Sequence, residues 1–193
     1  KILDSRVYEV AKETPLEFAA NLSEKFKKKI FLKREDTQPT FSFKIRGAYN
    51  KIVNLSNKQQ KKGIIAASAG NHAQGVSLAA KTLGVSSTIV MPSTTPIVKI
   101  EAVKKLGSKI IIIGDSYSDA YDHAIKISKK ENLIFIHPFD DDEVIAGQGT
   151  IGMEILRQNT SEIEAIFIAV GGGGLISGVG AYIKSIRPEI KII

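Results

Sequence analysis

The chain has 193 residues, 43% of them hydrophobic, and its 27 Lys and Arg against 20 Asp and Glu give a formal charge of +7. That length supports one sizeable core or two small ones, and no apolar run approaches bilayer-spanning length. Cysteine is absent, which excludes disulfides and thiolate metal sites, and the basic residues fall in scattered runs (Lys25 to Lys29, Lys61-Lys62, Lys126 to Lys130) that read as solvated helix faces.

Short Ile- and Val-rich runs alternate with longer helical patterns. In chain order the spacing predicts a strand at 30–32, a helix at 43–55, a strand at 64–67, a helix at 73–83, a strand at 88–91 and a helix at 97–106. A strand at 110–113, a helix at 118–130, a strand at 133–136, a helix at 144–158, a strand at 166–170 and a helix at 175–186 follow. The strands lack strict alternation, as strands buried on both faces do. Gly84 and Gly107 stand where helices stop. The expected fold class is therefore α/β, with open, largely parallel twisted sheets and flanking helices. No Pro- or Ser-rich linker interrupts the pattern, so the pattern alone gives one domain. The first residue is not Met, and Lys191-Ile-Ile193 reads as a strand just begun. The expectation is a fragment truncated at its C-terminus. The opening Lys1-Ile-Leu-Asp4 carries no leader-like apolar stretch, and a cytoplasmic chain without membrane or nucleic-acid partners is expected.

Three segments carry chemistry. Lys44 lies in Pro39-Thr-Phe-Ser-Phe-Lys-Ile-Arg-Gly-Ala-Tyr49, where Ser42 is a plausible helix N-cap. A helix start and partial burial both disfavour an ammonium and free the neutral amine. The alternative is a surface lysine on an amphipathic helix. Ser68-Ala-Gly-Asn-His-Ala-Gln-Gly75 is a small polar turn between strand and helix; alone, it is equally an N-cap turn with Asn71 as the cap. Gly171, Gly172, Gly173 and Gly174 follow a strand and precede a helix, where backbone N–H groups can face a phosphate. The alternatives are a flexible loop or a dinucleotide-binding turn. An amine, a polar turn and an N–H cradle are together what holds pyridoxal phosphate as a Schiff base. His72 reads as a structural hydrogen-bonder, and His123 and His137 as structural. Asp140 to Glu143 stands just ahead of a helix, where acids complement the dipole, and no metal site is expected there.

The order of these segments resembles the fold-type II pyridoxal-phosphate enzymes, and among them the biosynthetic threonine dehydratases. The resemblance runs from Val7-Tyr-Glu-Val10 and Thr14-Pro-Leu16 through Lys33-Arg-Glu-Asp36, Ser42-Phe-Lys44, Ser68 to Gly75, Val90-Met-Pro92 and Ala146-Gly-Gln-Gly149 to the glycine run. It implies an amino-acid substrate, pyridoxal 5'-phosphate as cofactor, a homo-oligomer at full length and catalytic Lys44 as the Schiff-base lysine. It places the cofactor phosphate on Gly171 to Gly174 with Leu175, its phenolate oxygen on the Asn71 amide, and Phe43 beside the ring or in the core. Ser68, Ala69, Gly70, Asn71 and His72 form the loop that takes the substrate carboxylate. Relatives that racemise serine carry a second Ser where this chain has Ala69, so elimination is implied over racemisation. The resemblance also implies a smaller α/β domain at about residues 66–143, inserted into a larger one formed by 1–65 and 144–193. Catabolic threonine or serine dehydratases and serine racemases are the nearest alternatives. A non-catalytic nucleotide-binding module and a basic nucleic-acid binder are the others.

Overall fold

The computed structural model describes residues 1–159 and 161–193. The chain opens with a short 3-10 turn and then β1 (Leu16–Phe18), α1 (Ala20–Phe26) and β2 (Phe31–Lys33). β1 and β2 pair antiparallel, with Glu17 opposite Leu32. Next come α2 (Lys44–Val53), α3 (Asn57–Lys62), β3 (Ile64–Ala67), α4 (Asn71–Leu83), β4 (Ser87–Met91), α5 (Ile97–Lys105) and β5 (Lys109–Ile112). They are followed by α6 (Tyr117–Glu131), β6 (Ile134–Phe135), α7 (Asp142–Gln158), β7 (Ala165–Ile166), α8 (Gly174–Ile186) and β8 (Lys191–Ile192).

β3 to β6 form one parallel four-stranded sheet in the order β5-β4-β3-β6. All four residues of β3 are buried, as a central strand with helices on both faces requires. Alternate residues serve the two faces. Ile64, Ala66, Ile89 and Met91 pack with Ala73, Val76 and Ala79 of α4, Val103 of α5 and Ile45, Ala48 and Ile52 of α2. Ile65, Ala67 and Val90 pack with Ala120 and Ala124 of α6. The chain winds outward from β3 to β5 and then returns to lay β6 on the other side of β3. In such sheets the crevice beyond the strand ends, where the order reverses, is the place that receives ligands. Here it lies between the loop after β3 and the loop after β6.

A third cluster joins Ile151 and Ile155 of α7 to Val179 and Ile183 of α8, with Phe43, Leu175, Ile166, Ile168 and Ile192 against it. α7 meets α2 at a close crossing through glycines: a Cβ on Gly147 would lie 2.6 Å from the Arg46 carbonyl and 2.8 Å from the Gly47 Cα. One turn along α2 is Lys44. The predicted α/β alternation stands, with corrections. β1, α1 and α3 were not anticipated, β2 pairs antiparallel, and the strand expected to run to Val170 is β7, only two residues long.

Candidate active site

Lys44 is the first residue of α2, and its side chain is half-buried. The turn before it is tight: the Phe41 N–H donates to the Gln38 carbonyl at 2.8 Å, and Phe41 takes a φ of 54°, a left-handed conformation costly for a bulky residue. Ser42 is not the N-cap. Phe43 holds that position without a side-chain cap, while the Ser42 hydroxyl accepts the Lys44 N–H at 3.3 Å from one place earlier. The Lys44 amine donates to the Pro138 carbonyl at 2.7 Å and lies 5.3 Å from the Phe43 ring centroid. Burial pulls its pKa below the ordinary lysine value of 10.5. Phe43 both faces the amine and packs into the third core cluster.

The loop after β3 is pinned at its root, where the Ser68 N–H donates to the Val90 carbonyl at 3.1 Å and the Ser68 hydroxyl accepts the Gly70 N–H at 3.1 Å. Ser68, Ala69 and Gly70 are half-buried and Asn71 is exposed. Asn71 begins α4 and Gly70 occupies the cap position, so Asn71 does not cap the helix. His72 is buried, and its Nε2 is 3.0 Å from the Ile136 carbonyl. A carbonyl partner places the ring proton on Nε2. Desolvation lowers the His72 pKa to about 4, with the nearby charges of Lys44 and His137 acting the same way against the Ile136 carbonyl. His72 is thus a neutral tie between α4 and the residue that follows β6. Gly75 lets α4 pass the start of α2: a Cβ there would be 3.0 Å from the Lys44 carbonyl carbon.

The glycine run lies at the N-terminus of α8. Gly173 has a φ of 88°, which only glycine adopts without strain. Gly171 and Gly173 face open space, a Cβ on Gly172 would overlap the Phe139 ring, and one on Gly174 would lie 2.8 Å from the Phe139 carbonyl. Leu175 anchors the helix in the third cluster.

One segment therefore touches all three loops. Ile136 bonds His72, Pro138 bonds Lys44, and Phe139 lies on the glycines. His137 and Phe139 also help line a shallow groove with Tyr117, Ser118, Tyr121 and Asp122. Sequence reasoning read His137 as merely structural and gave Pro138 and Phe139 no place, because their proximity depends on β6 returning beside β3. Lys99 was also missed; its amine reaches 4.0 Å from where a Gly70 Cβ would stand. Within the acidic run, Asp141 caps α7, accepting from the N–H groups of Glu143 and Val144.

Residues 7–193 match the family described as pyridoxal-phosphate dependent enzyme. The chain belongs to that family. Among members of the pyridoxal-phosphate dependent family, it is 57% identical to the biosynthetic L-threonine dehydratase of Burkholderia multivorans over all of this chain and 39% of that protein. It is 54% identical to the chloroplastic biosynthetic threonine dehydratase of Arabidopsis thaliana, over all of this chain and 32% of that one. The solved structure of the processed form of threonine deaminase isoform 2 from Solanum lycopersicum superposes with a TM-score of 0.96 at 53% identity, over 99% of this chain and 55% of that chain. Maize serine racemase superposes at 0.96's near equal, 0.95, with 37% identity over 99% of this chain and 58% of that chain. The chain thus spans about a third to two-fifths of the length of these curated relatives.

The residues present fit the family's cofactor. A desolvated amine at a helix start suits an aldehyde. The glycine run stands at the start of another helix, where backbone N–H groups suit a phosphate, and Gly171 and Gly173 leave open space there that side chains would fill.

Proposed function

We propose that the intact protein is a threonine ammonia-lyase, converting L-threonine by β-elimination to 2-oxobutanoate and ammonia as the first step of isoleucine synthesis. The observation that carries this reading is the half-buried Lys44 amine held at the start of α2. Pyridoxal phosphate, when bound, supplies an aldehyde for attachment to an amine and a ring that draws electron density from the substrate Cα. Lys44 is the residue that would hold it and, as a base with lowered pKa, move the Cα proton. Gly171, Gly172, Gly173 and Gly174 with Leu175 would hold the phosphate, the Asn71 amide the phenolate oxygen, and Phe43 would pack beside the ring. The loop from Ser68 through Ala69, Gly70 and Asn71 to His72 would take the substrate carboxylate on its N–H groups and the Ser68 hydroxyl. Ala69 offers no proton to a second face of the substrate, which favours elimination over racemisation.

The same reading divides the chain into a smaller domain at 66–143, holding the parallel sheet of β3 to β6, and a larger one from 1–65 and 144–193. It also carries a homo-oligomeric full-length protein and a cytoplasmic location. Among the described residues no helix is long and apolar enough to cross a membrane. Replacing Lys44 by Ala in the intact protein is expected to abolish borohydride-trappable pyridoxal phosphate and to cut threonine turnover by at least roughly 100-fold, with the melting temperature little changed. Near-normal turnover, or an adduct that survives the substitution, overturns the reading. A dinucleotide-binding module would give no adduct in either protein.

A further inference from the structure

The turn after β6 is built around one imidazole. His137 Nδ1 accepts the Asp140 N–H at 2.7 Å and the Phe139 N–H at 3.3 Å, which closes the backbone on itself around Pro138. The ring packs edge-on against Phe139, with centroids 4.7 Å apart, and meets Phe135 at 6.1 Å and Tyr121 at 6.3 Å. Pro138 has no N–H and a fixed φ, so a turn clamped on its C-terminal side holds the carbonyl in one direction. That carbonyl receives the Lys44 amine. An amine with one N–H committed to a fixed acceptor has its lone pair confined to the remaining directions, and nucleophilic attack depends on that alignment.

We infer that His137 is a positioning residue for the Lys44 amine, acting through the Pro138 carbonyl. The inference rests on the reading of Lys44 as the amine that captures the cofactor aldehyde. It requires a neutral ring, because protonation puts a hydrogen on Nδ1 and leaves two backbone N–H groups without their acceptor. The groups that face His137 divide. Asp140 and Asp141 on its own segment favour the imidazolium; burial and the charge of Lys44 from α2 oppose it, and His72 from α4 lies within electrostatic reach. From α6, Tyr117, Tyr121 and Asp122 share the groove.

The test is the rate at which pyridoxal phosphate with cyanoborohydride labels Lys44 in the intact protein, read by mass spectrometry of the Lys44 peptide between pH 5 and 8. Pyridoxal, which lacks the phosphate, is run in parallel to remove the contribution of the glycine loop. His137→Leu leaves the turn without an acceptor, and labelling at pH 8 should slow about tenfold, the effect of losing roughly 1.4 kcal/mol of alignment. In His137→Asn the side-chain oxygen can accept the same N–H groups without titrating, and the rate at pH 8 should stay within about threefold of the parent on the same scale. Towards pH 5 the parent should lose rate more steeply than the Asn variant, since two groups must be neutral in the parent and one in the variant. If His137→Leu fails to fold, the comparison of parent with Asn variant decides alone. Labelling of Lys44 with the same rates and pH profile in parent and Asn variant, together with an unchanged rate in any folded Leu variant, overturns the positioning role and leaves the Lys44 assignment standing. A label on another lysine overturns both.

Discussion

Burial acts on Lys44 and His72 in the same direction, favouring the neutral form of each, but their partners give them different work. Lys44 has a single carbonyl acceptor, which suits the amine chemistry proposed for it. His72 is locked inside, with Nε2 spent on the Ile136 carbonyl and Nδ1 without a partner among the described residues. Its folded pKa of about 4 lies below the ordinary 6.5, so the unfolded chain binds the proton more readily. The contribution to stability is complete above about pH 6.5 and is lost as pH falls towards 4. It should amount to roughly 3 kcal/mol. Thermal melts across that range should show His72→Gln losing stability less steeply than the parent on acidification; parallel curves would refute the assignment. At this scale the chain singled out Lys44 through the wording it shares with the family, whereas the contact made by the turn at His137 was not legible, because a histidine before a proline says nothing about which lysine its turn will face.

The elements are held by crossings and by a buried charge cluster that no periodicity reveals. Arg46, fully buried in α2, donates to Glu35 at 2.7 and 2.8 Å and to Glu154 of α7 at 2.5 and 3.0 Å. Lys33 reaches Glu154 at 2.5 Å and Tyr8 donates to it at 2.7 Å. The Arg46 guanidinium and these donors keep the Glu154 carboxyl below its ordinary pKa despite burial. The Lys33 to Asp36 stretch, recognised as family wording, thus has a structural use in Lys33 and Glu35, fastening the N-terminal hairpin to α2 and α7. The glycine contact between α2 and α7 fixes the height of Lys44. Gly147→Ala is expected to destabilise by about 1–3 kcal/mol and to slow labelling of Lys44, since the added methyl meets the backbone of α2 and the helices must shift apart. A melting temperature unchanged from the parent would show that the crossing tolerates a methyl. The missed elements have physical reasons. α3 is wholly polar, with no apolar stripe, although the capping box of Ser56 and Gln59 marked its start. α1 has no buried residue and no side-chain cap, and β1 is three residues long.

In the whole molecule the three loops of the site come from stretches of chain centred near residues 44, 70 and 172, and the segment after β6 binds them together. Large apolar side chains stay exposed at Phe41 (77%) and Phe167 (78%), the former beside Lys44 and the latter just before the glycine run. Because the chain spans 32–39% of the two dehydratases compared, the 193 residues alone are expected to turn over threonine weakly or not at all. Robust 2-oxobutanoate formation by the purified chain, measured against the Lys44→Ala variant, would refute that expectation.

The α/β alternation and the positions of the polar turn and the glycine run could be read from the chain itself, because hydrophobic period, turn chemistry and the absence of side chains are local properties; Lys44 stood out only by the segment it shares with the family. The tertiary structure decided which side of β3 receives β6, and with it that Ile136, Pro138 and Phe139 meet His72, Lys44 and the glycines. It also decided that Arg46 and Glu154 are buried together. Those outcomes follow from strand order and helix crossing, which bring residues about a hundred positions apart into contact, and no local pattern carries that information.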